Sequence, residues 1–258
     1  MRVLMVGDVV GSPGRRAVTQ LLLELRAELS VDVVVVNGEN AAAGRGLTVR
    51  TARELLDAGA DVLTSGNHIF DVRDFVPSLD SDLPVLRPAN YPEETPGRGI
   101  LTVCGLTVIN LMGRVFMPVQ VDDPFRVADM LLDELEGPQP VVVDFHAEAT
   151  SEKQALSWYL DGRVAAVVGT HTHTPTADTR LLPRRTAHVS DLGMVGVRDS
   201  IIGDDAESVI HRFVTGMPTR LPVASGDEVV LNSVLIEIDD TTQLATGIER
   251  IDRFCLVE

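Results

Sequence analysis

Short, β-branched apolar runs recur along this chain at Val3–Val6, Val33–Val36, Asp61–Leu63, Val141–Val143 and Val164–Val168. Runs without polar alternation predict strands buried on both faces, the pattern of a parallel sheet covered by helices. Between them, apolar residues return at helical spacing over Ala17–Leu29 and Val49–Ala58, with Pro13 suited to a first helical turn, and Val72–Leu79 also reads as a helix. This β-α-β-α-β order predicts right-handed crossovers and a mainly parallel sheet.

The pattern then changes. Pro84, Pro88, Pro92 and Pro96 punctuate residues 80–118, and Gly99–Val103 with Leu106–Leu111 reads as a hairpin around Gly105. Helices are expected at Pro124–Leu135, Ser151–Leu160 and Asp205–Val214. Strands are expected at Pro140–Val143, Thr179–Leu182, Ala187–Val189 and, as one long alternating run, Glu228–Ile238. The expectation is a single α/β domain over residues 1–258, a sandwich of mixed, largely parallel sheets, with a small inserted lid within residues 69–130.

Composition narrows the class. With 258 residues, 45% apolar and 23% charged, the chain is globular. No apolar run approaches the ~20 residues needed to cross a bilayer, and no leader-like segment opens it, so a cytoplasmic protein without a membrane partner is expected. Cys104 and Cys255 are too few for a disulfide scaffold and are expected to be buried or incidental. A net charge of −16 argues against long nucleic acid as partner but leaves room for a small phosphorylated substrate beside bound cations. Lys153 is the one lysine, which excludes a lysine-centred phosphate loop.

The chemistry collects where the strands end. Asp8, Glu39-Asn40, Asn67-His68, His146 and His171-Thr172-His173 each follow an apolar run. In open α/β sheets such ends converge on one site. His-x-His in an extended turn offers two imidazoles to one ion, or else two solvated loop histidines. Asp8 is a ligand or a helix cap; Glu39 and Asn40 are ligands or an Asx-type turn; Asn67 is a ligand or a turn residue with positive φ. His146 is a ligand or a satisfied buried histidine, and Glu148 is placed either to orient it or as a carboxylate at a helix start. His188 and His211 read as structural or surface. Oxygen and imidazole donors without thiolate suit manganese or iron, with zinc also compatible.

Taken in order, Gly7-Asp8, Gly38-Glu39-Asn40, Gly66-Asn67-His68, His146 and Gly169-Thr170-His171-Thr172-His173 resemble the five blocks of the calcineurin-like metallophosphoesterases. The closer resemblance is to the YmdB-type 2′,3′-cyclic-nucleotide 2′-phosphodiesterases, supported by Ser65–Asp71, Arg87–Pro92 and Asp191-Leu192-Gly193-Met194. The first block departs from the wider Asp-x-His pattern, with Val9 and Val10 after Asp8. In the second block Glu39 takes the place of the usual Asp, and Asn40 stands in for the missing histidine.

The resemblance implies a metallophosphoesterase-type sandwich holding two divalent transition-metal ions, iron or manganese. Asp8, Glu39, Asn40 and His173 would hold one ion, and Glu39, Asn67, His146 and His171 the other. A metal-bridging hydroxide would attack, and His68 would serve as acid. The implied substrate is a 2′,3′-cyclic nucleotide or similar small phosphodiester, opened to a nucleoside 3′-phosphate. Tyr91 and Phe116 are candidates for stacking on a nucleobase and Arg114 for meeting phosphate, or else for lid packing and an exposed arginine, while the resemblance places Gly193 and Met194 at the pocket rim. The competing readings are a phosphomonoesterase or nucleotidase with the same metals, and a regulatory metal-binding scaffold. A dinucleotide-binding dehydrogenase is disfavoured because no Gly-x-Gly-x-x-Gly follows the first strand. A homo-oligomer is allowed rather than required.

Overall fold

The computed structural model describes residues 1–257. The chain starts with β1 (Arg2–Val6), steps at Gly7 into the short β2 (Asp8–Val9), and enters α1 (Gly11–Glu28). Then come β3 (Val33–Asn37), α2 (Val49–Asp57) and β4 (Val62–Thr64), the expected alternation. Residues Arg73–Asp80 form a 3-10 helix rather than an α-helix. Pro77 lies inside it, lacks an N–H, and clashes with the turn that an α-helix would require.

Residues 69–130, expected to carry a lid, contain β5 (Ile100–Val103), β6 (Leu106–Met112) and the start of α3 (Pro124–Asp133). β6 is buried along its whole length and pairs in parallel with β7 (Val141–His146). The chain continues through α4 (Thr150–Tyr159), β8 (Ala166–Thr170), β9 (Arg180–Leu181), β10 (Ala187–Val189), β11 (Met194–Val197) and α5 (Ala206–Thr215). It closes with β12 (Glu228–Leu231), β13 (Ser233–Ile238), β14 (Ala245–Arg250) and β15 (Arg253–Leu256).

The strands form three sheets, in the orders β14-β13-β1-β3-β4, β5-β6-β7-β8-β10-β9 and β15-β12-β11-β2. In the six-stranded sheet parallel pairs occupy the middle and antiparallel strands both margins. In the five-stranded sheet β1, β3 and β4 are parallel out to the β4 edge, and β13 and β14 add antiparallel on the other side, giving a mixed α/β fold. Alternation along each strand explains why the apolar runs are unbroken. Leu4, Val6, Val34 and Val36 pack under Val18, Leu22 and Leu55 of the helices. Their neighbours Val3, Met5, Val33 and Val35 face Val108, Val142, Val168 and Val189 of the six-stranded sheet. The far side of that sheet, through Ile109, Val143 and Phe145, lies under Ala128 of α3 and Leu156 of α4. The result is an α/β/β/α sandwich, in which each fully buried Val, Leu or Phe contributes about 1.5–3 kcal/mol.

The expected single strand Glu228–Ile238 is two strands in two sheets, parted at Asn232. Asn232 O accepts the Gly7 N–H at 3.0 Å, and its Oδ1 accepts the Met194 N–H at 3.2 Å. Chain 1–9 changes sheet at the same place. A Cβ on Gly7 would lie 2.1 Å from the Gly193 carbonyl oxygen, so the crossing requires glycine. Cys104 is exposed and Cys255 half-buried, so neither is a core residue. Among the described residues no helix is long and apolar enough to cross a membrane.

Candidate metal centre

Each candidate side chain emerges as its strand runs out. Asp8 begins β2; Glu39 and Asn40 follow β3; Asn67 and His68 follow β4; His146 ends β7; His171 and His173 follow β8. Asn37 starts the second of these turns by accepting the Glu39 N–H on its own Oδ1 at 3.2 Å, the Asx device. Asp8 does not cap α1, which has Val10 at its N-cap and no side-chain cap. Asn67 is absent from the positive-φ positions, which leaves its side chain rather than its backbone to explain it.

Three groups crowd one atom. Around His146 Nε2 lie Asn67 Oδ1, His171 Nδ1 and Glu39 Oε1, each at 3.1 Å. His146 Nδ1 sits 2.9 Å from Thr170 Oγ1, and that hydroxyl gives its own proton to Asp144 Oδ1 at 2.7 Å. Thr170 therefore accepts from Nδ1–H, which aims the Nε2 lone pair into the cluster. Gly66 makes room for the ring: a Cβ there would come 2.0 Å from His146 Cδ2.

A second group adjoins the first. His173 Nδ1 donates to the Ile202 carbonyl at 2.6 Å, leaving Nε2 as an acceptor. That Nε2 stands 2.9 Å from Asn40 Nδ2 and 3.8 Å from Asp8 Oδ1. Asp8 Oδ2 accepts the His171 N–H at 3.2 Å, and Glu39 Oε2 accepts the His68 N–H at 3.2 Å.

Asp8 Oδ1, Glu39 Oε1 and Asn40 Oδ1 are buried and have no aligned hydrogen bond, three of the five such side-chain atoms among the described residues. A buried acceptor left unpaired costs about 1–3 kcal/mol, more when charged. Three of them converging beside three imidazoles fit cation ligation. Glu39, His146 and His171 alone place one ligand atom each within 4.8 Å of one another.

The electrostatics of the ion-free chain point the same way. Burial raises the Asp8 carboxyl to about 6 despite His173 and His146 nearby. Burial also opposes the charged form of Glu39, yet His146 and His68 bring its carboxyl down to about 2. For His146, burial is outweighed by Glu39 and Asp8, and the imidazole rises to about 9. Burial and the neighbouring His146 drive His171 down to about 3. A cation at His146 Nε2 takes the place of its second proton, so metal uptake releases protons.

His68 stands apart. Its Nδ1 is 2.8 Å from Asp71 Oδ2, and the ring is a quarter exposed at the edge of the cavity. That cavity, about 400 Å³, is lined by Glu39, Asn40, His68, His171 and His173 together with Arg45, Glu148, Ile202, Asp204 and Leu221. A larger depression of about 810 Å³ between α1 and α2 gathers no such chemistry.

Known proteins share the fold and much of the sequence. The model of the YmdB-like protein family matches residues 4–251. The chain belongs to the YmdB-like family. It is 50% identical, over 97% of its length and 96% of the relative's, to the 2′,3′-cyclic-nucleotide 2′-phosphodiesterase of Bacillus subtilis. A crystal structure of a hypothetical protein from Thermus thermophilus superposes with a TM-score of 0.92 at 43% identity, covering 99% of this chain and 100% of that one. A structure described as a novel phosphatase from Mycoplasma pneumoniae also gives 0.92, at 32% identity, covering 100% and 94%. The fold is thus the metallophosphoesterase type that the five blocks imply.

Within this YmdB-like chain, several residues stand elsewhere than expected. Glu148 does not orient His146; its Oε2 lies 3.1 Å from His171 Nε2. Tyr91 packs edge-on against Phe70 at 5.2 Å, Arg114 pairs with Asp123 at 3.3 Å, and Phe116 is 85% exposed; none lines the cavity. Arg45, Asp71, Ile202 and Asp204 escaped sequence reasoning because no strand-end pattern precedes them. The one legible clue was the Ser65–Asp71 run that contains Asp71. His188 is buried on β10 against Ser157, and His211 is exposed on α5, as a structural and a surface residue should be.

Proposed function

We propose that this chain is a dinuclear metal-dependent phosphodiesterase that opens 2′,3′-cyclic nucleotides, or similar small phosphodiesters, to nucleoside 3′-phosphates. Asp8, Glu39 and Asn40, each with a buried oxygen that has no aligned hydrogen bond, meet the His146 and His173 rings, and this gathering carries the reading. The activity named for the Bacillus subtilis relative supports the choice of substrate.

In this reading Asp8, Asn40 and His173 would hold one ion, Asn67, His146 and His171 the other, and Glu39 would serve both. Two divalent ions, iron or manganese by donor type, would when bound supply Lewis acidity toward the phosphoryl oxygens and make water nucleophilic near neutral pH. Thr170 and Ile202 hold the Nδ1 protons of His146 and His173, so Nε2 of each ring is the nitrogen that faces the ions. His68 is held off the ions by Asp71, and its Nε2 is the proton donor to the departing 2′ oxygen. The Asp71 carboxylate orients the ring for that donation by its contact with Nδ1. The cavity at this site suits a mononucleotide, and the acidic surface disfavours long nucleic acid.

The test is hydrolysis of 2′,3′-cyclic AMP by manganese-loaded protein, with 2′- and 3′-phosphate products resolved and metal counted per chain. Two ions and 3′-AMP are expected. Two ions with cleavage of a nucleoside monophosphate instead would make it a monoesterase. Two ions without turnover would leave a regulatory scaffold.

A further inference from the structure

The Asp191-Leu192-Gly193-Met194 run has so far had no chemical role, and neither has the chain's one lysine. They meet behind the metal centre. Lys153 Nζ of α4 donates to Asp191 Oδ2 at 2.6 Å, and the two side chains are only 3% and 1% exposed. Burying such a pair is costly unless further hydrogen bonds complete it. Asp191 has two more. Oδ2 also accepts the Thr172 N–H at 3.1 Å, and Oδ1 accepts the Gly193 N–H at 2.8 Å.

Both of those backbone contacts lead to candidate ligands. Thr172 stands between His171 and His173, whose φ values of +101° and +61° are left-handed and unfavourable for residues other than glycine. Gly193 passes the connection on: its carbonyl accepts the Asp8 N–H at 3.1 Å. One carboxylate therefore ties the strained His171–His173 turn to the strand that carries Asp8. Asp191 is itself fixed, its N–H donating to Thr176 Oγ1 at 2.8 Å.

We propose that the Lys153–Asp191 pair is a positioning device that holds the Asp8 and His171–His173 turns in register for the ion they share. The inference rests on the dinuclear reading above. Lys153 neutralises a carboxylate that two amides alone would leave charged in the interior, and Asp191 offsets the backbone strain at the ligand histidines.

The experiment loads wild-type protein, Lys153→Met, Lys153→Arg and Asp191→Asn with manganese and titrates each with a graded chelator, counting ions retained per chain. Lys153→Met and Asp191→Asn are expected to lose their first ion at about tenfold lower chelator concentration, with Lys153→Arg closer to wild type. Retention equal to wild type in both variants overturns the proposal. So does a fall in melting temperature that leaves ion retention unchanged, because that is a purely structural role.

Should a variant not fold, amide exchange in the wild-type protein decides. The Thr172 amide is expected to exchange far more slowly than that of exposed Thr174, and equal rates overturn the anchor. A wild-type protein that retains no manganese would instead refute the metal reading, and Thr172 exchange would still test the anchor.

Discussion

His68 and Glu39 show how neighbouring strand ends acquire different work. His68 is turned toward Asp71 at the edge of the cavity, whereas Glu39, 1% exposed, lies at its floor beside His146. Replacing His68 by Ala should lower turnover of 2′,3′-cyclic AMP by about 10²–10⁴-fold while metal content stays at two. Elemental analysis beside steady-state kinetics checks this, and full activity would remove His68 from the chemistry. Glu39→Ala should drop bound manganese below one ion per chain, since in the proposed reading the carboxylate would serve both ions. Two retained ions would mean that Glu39 does not bridge. The sequence exposed these residues because each follows an apolar run. It could not expose Arg45, Ile202 or Asp204, which reach the cavity from loops without such a marker.

At the scale of elements, the strand ends hold because polar clamps close the turns after them. Asp178 is one clamp, accepting the Ser190 Oγ–H at 2.5 Å, the Ser190 N–H at 3.0 Å and the Thr176 Oγ1–H at 2.7 Å. Burial opposes its charge, but these donors hold its carboxyl well below the usual carboxylate range. A carboxyl depressed on folding contributes stability above its unfolded value of about 3.9, lost as pH falls through the folded value. Asp178→Asn should therefore be less stable than wild type at pH 5, with the gap narrowing as pH falls below 4. Urea midpoints at pH 5 and pH 3 measure this, and a gap that does not narrow would show the clamp to be uncharged. Element legibility followed the same logic. The helices around β3 and β4 were readable from spacing, but β11, β14 and β15 were not singled out. β15 is an edge strand with Phe254 and Leu256 exposed, so no two-faced burial marks it.

Across the whole molecule, the centre draws on all three sheets: Asp8 from the four-stranded one, Glu39 to Asn67 from the five-stranded one, and His146 to His173 from the six-stranded one. Ions bound there join the layers, so they should stabilise the fold globally by mass action. At a hundredfold excess over Kd a single site adds about 2.7 kcal/mol, worth about 5–10 °C in Tm for a chain of this size. Melting curves in manganese and in chelator test this; coincident curves would mean that the centre takes no ion.

The sequence by itself determined the strand-helix alternation, the family resemblance and seven candidate donor residues with His68 beside them, because short-range patterns encode burial and turn chemistry directly. The tertiary structure alone decided that the apolar runs split their faces between helices and a second sheet, that Asn232 and Gly7 carry the chain across sheets, and that Thr170, Ile202, Glu148 and Asp191 stand behind the ligands. Those contacts join residues far apart in the chain, and no local pattern records which distant partner will meet a buried donor.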